Sequence, residues 1–145
     1  MPLDSTTPLS SWPGRLTEPR HVWVDVTGGS LPARPGLVVM WRRMPGPRGG
    51  WQAWVISVSR GAVEQGWQHG YHVRPWAGEE SAVHVHVRGG TSERDGGLGL
   101  LVDWRPVNRV EGSRECLVVW ACWQPVSEYL GVRVEWVAGD RVRAL

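Results

Sequence analysis

Valine, leucine and tryptophan recur along the chain in short runs that either alternate with polar residues or stay apolar for five or six positions, and glycine and proline punctuate them. The runs "HVWVDV" (21–26), "LVVMWRR" (37–43), "WQAWVISVSR" (51–60) and "YHVRPW" (71–76) fill the first half. The second half holds "AVHVHV" (82–87), "LGLLVDWR" (98–105), "ECLVVWACW" (115–123), "GVRVEWV" (131–137) and "RVRAL" (141–145). Their length, their β-branched and aromatic content and the turn-rich separators "PGPRGG" and "GGTSERDGG" predict β-strands. No stretch sustains an apolar period of 3.6, although "EGSRECLVVWACW" (111–123) has the composition of a short helix. The expectation is an all-β protein.

The pattern is written twice. A shift of 63 residues lays "HVWV" from His21 on "HVHV" from His84 and, without a gap, "GLVVMWRR" from Gly36 on "GLLVDWRP" from Gly99. Further along the shift grows to 69, where Trp67, Gly70, Val73 and Arg74 fall on Trp136, Gly139, Val142 and Arg143, so the second copy carries a short insertion near "CWQPVSEYLG". This predicts a flexible leader over 1–19, a first unit over 20–76, a linker "AGEES" over 77–81 and a second unit over 82–145. Within the repeated strand, Leu37, Val39 and Trp41 alternate and match Leu100, Val102 and Trp104, which predicts that this face is core. Met40 stands opposite Asp103, so the other face reads as variable and Asp103 as solvent-exposed.

Five short strands in about 60 residues, an arginine-ended second strand, "GGW" leading into the third strand (Gly50, Trp51, then Val55 and Val58) and a closing "VRP" resemble an SH3-like barrel of the Tudor type. The resemblance implies two tandem SH3-like small barrels related by an internal repeat. It also implies binding of peptides or nucleic acid through loops and aromatic residues at one barrel end, without catalysis. The second copy departs from the pattern by placing Arg114 where Trp51 stands.

Composition changes this picture little. All sixteen basic residues are arginine, there is no phenylalanine, and Ile56 and Asn108 are the sole isoleucine and asparagine; avoidance of AT-rich codons explains this set without any demand from phosphate binding. A net charge of +2 falls short of what a dedicated nucleic-acid coat protein carries. The start has no charged n-region ahead of an apolar core, and no apolar run is long enough for a bilayer, so the chain reads as soluble and cytoplasmic, with no membrane partner. Cys116 and Cys122 lie six residues apart in one predicted strand, roughly 20 Å, which is beyond a disulfide. They are expected as free, buried thiols.

Candidate chemistry is sparse. The histidines lack the spacing of a zinc site, and His21 and His84 match within the repeat, which suits structural places near the start of their strands. Ser57 and Ser59 have no nucleophile-elbow turn, thiols among apolar neighbours are inert, and no glycine-rich loop runs into a helix. No catalytic residue, metal or cofactor is therefore assigned, and the protein is not expected to be an enzyme. Eleven tryptophans exceed core needs. Trp41, Trp104, Trp67 and Trp136, the pairs kept between copies, are assigned to the core, whereas Trp23, Trp51, Trp54, Trp76, Trp120 and Trp123 are not kept, and some of them should be exposed. Trp51, Trp76, Tyr71, Arg48 and Arg74 are the candidate ligand-binding residues, forming a cage or a stacking platform. The favoured partner is a protein segment or surface. The alternative is nucleic acid, with Arg42, Arg43 and Arg105 on phosphates and tryptophan on bases. Use of the surplus tryptophans to join the two units, or to make a homodimer, is the competing role.

Overall fold

The computed structural model describes residues 15–25, 32–44, 49–79, 81–88, 97–107, 112–124 and 129–145. These form ten strands: β1 (Arg15–Val24), β2 (Arg34–Arg43), β3 (Trp51–Ser59), β4 (Ala62–His69), β5 (Val73–Pro75), β6 (His84–Val87), β7 (Gly97–Pro106), β8 (Arg114–Gln124), β9 (Tyr129–Ala138) and β10 (Val142–Ala144). Two 3₁₀ turns, Gly70–His72 and Gly139–Arg141, each precede a three-residue strand. The protein is all-β as expected, and 111–123 is no helix: β8 occupies it from Arg114. No helix among the described residues is long and apolar enough to cross a membrane. Strand β1 begins at Arg15 and so takes in residues 15–19, which the sequence pattern assigns to the leader.

The strands make two antiparallel five-stranded sheets, ordered β4-β3-β2-β1-β5 and β10-β6-β7-β8-β9. Counted within each half, both run fourth, third, second, first, fifth. In neither sheet do the two outermost strands bond to each other, so both stay open. Strands β3 and β4 turn on Arg60 and Gly61, both at positive φ, the geometry that fits a two-residue hairpin to the twist of its strands.

A bulge decides which residues face where. Along β2, Val38 pairs with Val55 and Met40 with Trp54, leaving Val39 as the extra residue; along β7, Leu101 pairs with Val118 and Asp103 with Leu117, leaving Val102. Each bulge flips the alternation after it. Leu37, Val39 and Met40 therefore share one apolar cluster, while Val38 and Trp41 join another, which corrects the expected Leu37–Val39–Trp41 face. Met40 is fully buried and its counterpart Asp103 exposed.

Three apolar clusters follow. Val22, Val24, Val38, Ala53 and Val55 fill the inner side of the first sheet, with Trp41 and Val73 against them. Val85, Val87, Cys116, Val118, Trp120 and Val137 do the same in the second, with Leu101 and Val142. The third cluster spans both sheets: Leu37, Val39, Met40, Trp54, Ile56 and Val58 meet Leu100 and Val119. Tryptophan placement differs from expectation. Trp104 is 57% exposed and Trp136 36%, whereas Trp54 and Trp120 are buried. Trp104 follows the bulge near the end of its strand, beyond the apolar packing of its sheet, so its expected core place is not filled. Cys116 is a free, buried thiol whose pKa is pushed up by burial, against a smaller opposing pull from Arg114. The Cys122 side chain lies outside the described residues.

The seam between the sheets is polar at one place. His21 Nε2 donates to the Gly99 carbonyl at 2.8 Å and His84 Nε2 to the Val22 carbonyl at 2.9 Å, so each half's histidine closes on the other half's backbone. Ser81 Oγ accepts the Val83 and His84 amides at 3.2 Å each and lies 2.7 Å from His84 Nδ1, so its own proton goes to that nitrogen. This holds His84 neutral with its proton on Nε2. The two imidazoles meet edge to face at 4.9 Å, and Trp76 stacks on His84 at 5.3 Å. Burial lowers both pKa values; for His21 the neighbouring His84 and His86 add to this while the Gly99 and Val85 backbone opposes it, and for His84 the Val22 carbonyl and the Glu79 charge oppose it by less.

Two predictions come from this packing. A Cβ on Gly99 would sit 2.9 Å from the Val119 carbonyl and 3.2 Å from the Trp120 Cβ, and one on Gly36 would meet Val55 at 2.8 Å. Gly99→Ala should cost about 1–3 kcal/mol in urea unfolding, because backbone cannot yield as a flexible side chain can. The histidines bind fewer protons folded than unfolded, so stability is complete above the unfolded value near 6.5 and falls as the pH drops from there towards the lowered folded values. The urea midpoint should therefore be lower at acid pH than at neutrality, and His84→Gln should flatten the drop.

Candidate functional site

The β2–β3 connection closes with the Met44 amide on the Gly50 carbonyl at 2.8 Å, and Trp51 then opens β3. Across from it, β4 ends at His69 and passes into the Gly70–His72 turn. The turn packs closely on the start of β3: a Cβ on Gly70 would lie 3.1 Å from the Trp51 carbonyl. The result is an open groove of about 650 Å³ lined by Met44, Gly49, Gly50, Trp51, His69, Gly70 and Tyr71. Trp51 is 54% exposed and Tyr71 80%, and Tyr71 stacks on His69 at 5.1 Å with nearly parallel rings. His72 meets the tyrosine edge-on at 4.3 Å. Exposed aromatic faces lining one groove can take a flat or apolar group. Arg43 pairs with Trp51 across β2 and β3 and is exposed.

The second half has a groove at matching positions. Val107, Gly112, Ser113, Arg114, Ala138, Gly139 and Asp140 line it, about 540 Å³ in volume, together with Glu115. Where the first groove presents Trp51 and Tyr71, the second presents Arg114 and Asp140. Similar backbone thus frames opposite chemistry.

Of the sequence-assigned residues, Trp51 and Tyr71 line one groove with Arg43 beside Trp51, while Trp76 and Arg74 lie away from it, both against Glu79. Trp76 belongs to the seam: it stacks on His84, meets His21 edge to face at 5.6 Å, and gives its indole N–H to the Glu79 carbonyl at 3.0 Å. Arg74 pairs with Glu79 at 3.0 Å. That carboxylate is held below its ordinary range by the backbone amides of Glu79 itself and Ala77 and, to a lesser degree, by Arg74. Within the stretch assigned to the linker, Glu79 thus holds Arg74, Trp76 and the Ala77 amide, and Glu80 lies outside the described residues. Arg48 lies outside the described residues.

Two of the arginines assigned to the nucleic-acid alternative have structural employment. Arg42 lies 3.9 Å over the Trp67 ring while Nε and Nη2 donate to Gln52 Oε1 at 2.9 and 2.7 Å. Arg105 lies 4.0 Å over Trp136 and pairs with Glu115 at 3.1 Å. Each clamp draws an arginine from the "WR" phrase, a tryptophan from the fourth strand of its sheet and an acceptor from the third. Sequence reasoning missed this use of the arginines and missed His69 and Met44, since no motif marks them. The one linear signal was the shared shift of Arg42 to Arg105 and Trp67 to Trp136.

A second cleft of about 780 Å³ opens where the halves meet, between Arg20, Val22, Trp41, Pro75 and Trp76 of the first and Leu98 and Leu145 of the second. No group of three or more histidine, cysteine, aspartate or glutamate side chains placed to hold a metal occurs among the described residues. The chain matches no known protein family, no curated protein and no solved structure.

Proposed function

We propose that this chain is a non-enzymatic binding or adaptor protein of two SH3-like units related by an internal repeat, and that the first unit captures a segment of a partner protein in the Trp51–Tyr71 groove. The common strand order of the two sheets, the 3₁₀ turn ahead of each short last strand and the bulges at Val39 and Val102 support the reading of two like units. The function rests on one observation: two large aromatic side chains stay exposed on one groove although the chain buries Trp54 and Trp120. Leaving them in water costs hydrophobic free energy that a bound segment would recover. In the second unit the corresponding positions are charged, so the units are proposed to differ in what they bind.

A protein segment suits the groove better than nucleic acid. Arg42 and Arg105 are held by tryptophan and side-chain acceptors, and Arg74 by Glu79, which leaves Arg43 as the rim cation beside Trp51 among the described residues. Neutralising several phosphates would need more.

Display of random peptides against the full chain tests the proposal. Selected segments should bind with an affinity that changes little with salt and that falls roughly tenfold or more in Trp51→Ala and in Tyr71→Ala, the loss expected for an aromatic anchor. Failure to select any segment, or equal binding by both variants, refutes it. Short single-stranded DNA that quenches tryptophan fluorescence at low salt and is lost steeply near physiological salt would replace the protein partner with nucleic acid. The variants are usable because rim and core differ: Trp51→Ala should change unfolding free energy by no more than about 1 kcal/mol, whereas Trp54→Ala, emptying the seam, should cost about 3–5 kcal/mol.

A further inference from the structure

The four sheet edges are unequal. β5 and β10 are three residues long, too short to template another strand. β4 carries Glu64, tied to Arg34 at 2.8 Å, and Gly66, both poor strand formers at an edge. β9 is different: ten residues long, bonded to β8 along one side and, among the described residues, ending its sheet on the other.

Its side chains alternate cleanly. Val132, Val134 and Trp136 point to the side of the seam, where their partners on β8 include Val119 and Leu117. Val132 packs against the seam cluster, but Val134 is 49% exposed and Trp136, with Arg105 over its ring, 36%, so the apolar face that joins the sheets continues partly open to the edge among the described residues. On the opposite face stand Arg133 and Glu135, only 3.9 Å apart and each about half exposed. The edge is long, carries an apolar face and has no proline among Val132–Val137; its only charges there, Arg133 and Glu135, are of opposite sign, so they bar pairing with some partners and registers but suit a self-complementary one.

We propose that β9 pairs antiparallel with β9 of a second copy of this chain, about a twofold axis through Val134. That register sets Arg133 of each copy opposite Glu135 of the other, twice, and brings Val132 opposite Trp136. Centring the axis on Arg133 or on Glu135 instead places like charges face to face, so charge complementarity selects the Val134 register. The pairing joins two five-stranded sheets into one of ten strands, satisfies the outward amides and carbonyls of β9 and covers Val134 and Trp136. The two copies leave both Trp51–Tyr71 grooves open, because these lie on the other sheet.

The test is molar mass in solution, by sedimentation of the full chain over a wide concentration range. Wild type should form a dimer. Arg133→Glu and Glu135→Arg each put two like-charge pairs across the axis and should weaken the dimer roughly tenfold or more, while the double variant, with the charges exchanged, should regain it. Circular dichroism verifies that each variant keeps its strands. Should a charge variant unfold, Val134→Lys at its half-exposed site on the axis carries the same expectation of a monomer. A wild-type monomer at every concentration, a dimer indifferent to the single reversals, or a double variant that stays monomeric overturns the proposal.

Discussion

The architecture depends on the burial of one sheet face against another. Each five-stranded sheet has an inner apolar cluster built from valines and a few larger residues, and each presents a second apolar face that water would otherwise meet. Leu37, Val39, Met40, Trp54, Ile56, Leu100 and Val119 close that face between the halves. A sheet of some 60 residues buries too little surface by itself to be secure, so sharing a core between two is a direct remedy. The bulges at Val39 and Val102 belong to the same solution, because the residue each inserts turns a further apolar side chain towards the seam.

His21 and His84 set the geometry of that contact. Apolar surfaces can slide, whereas an imidazole that must donate to one carbonyl on the facing sheet cannot. Ser81 fixes the tautomer of His84 from the linker, and Glu79 anchors Trp76 and Arg74 beside it, so the short connection between the halves does positional work. Two neutral histidines in partly desolvated surroundings also make the join the place where acid would act first.

The surface carries the differences between the halves. Matching grooves hold Trp51 and Tyr71 in one and Arg114 and Asp140 in the other; the arginine–tryptophan clamps repeat with Gln52 in one and Glu115 in the other. Trp54, buried beside Trp67 in the first sheet, gives way to Leu117 at the matching place in the second, and the smaller side chain leaves Trp136 more open. Strand positions thus match between the halves while the groove positions differ.

The all-β class, most of the strand runs and the correspondence of Leu37 with Leu100 or Arg42 with Arg105 were legible in the sequence, because alternation and spacing are local properties. Strand β4 (Ala62–His69), with Glu64, Gln65, Gly66 and Gln68 among its residues, shows no apolar run and was not. Trp51 and Tyr71 stood in the set named from the sequence, but together with Trp76 and Arg74, which the structure places elsewhere. What local pattern could not settle was the side to which a residue points after a bulge, since the extra residue at Val39 is visible only against the partner strand. That shift, together with the sheet-to-sheet packing, decided that Met40, Trp54 and Trp120 are buried while Trp104 is exposed. Likewise only tertiary structure decided that Trp76 and two histidines serve the seam, because their partners lie in the other half of the chain, at sequence distances no periodicity spans.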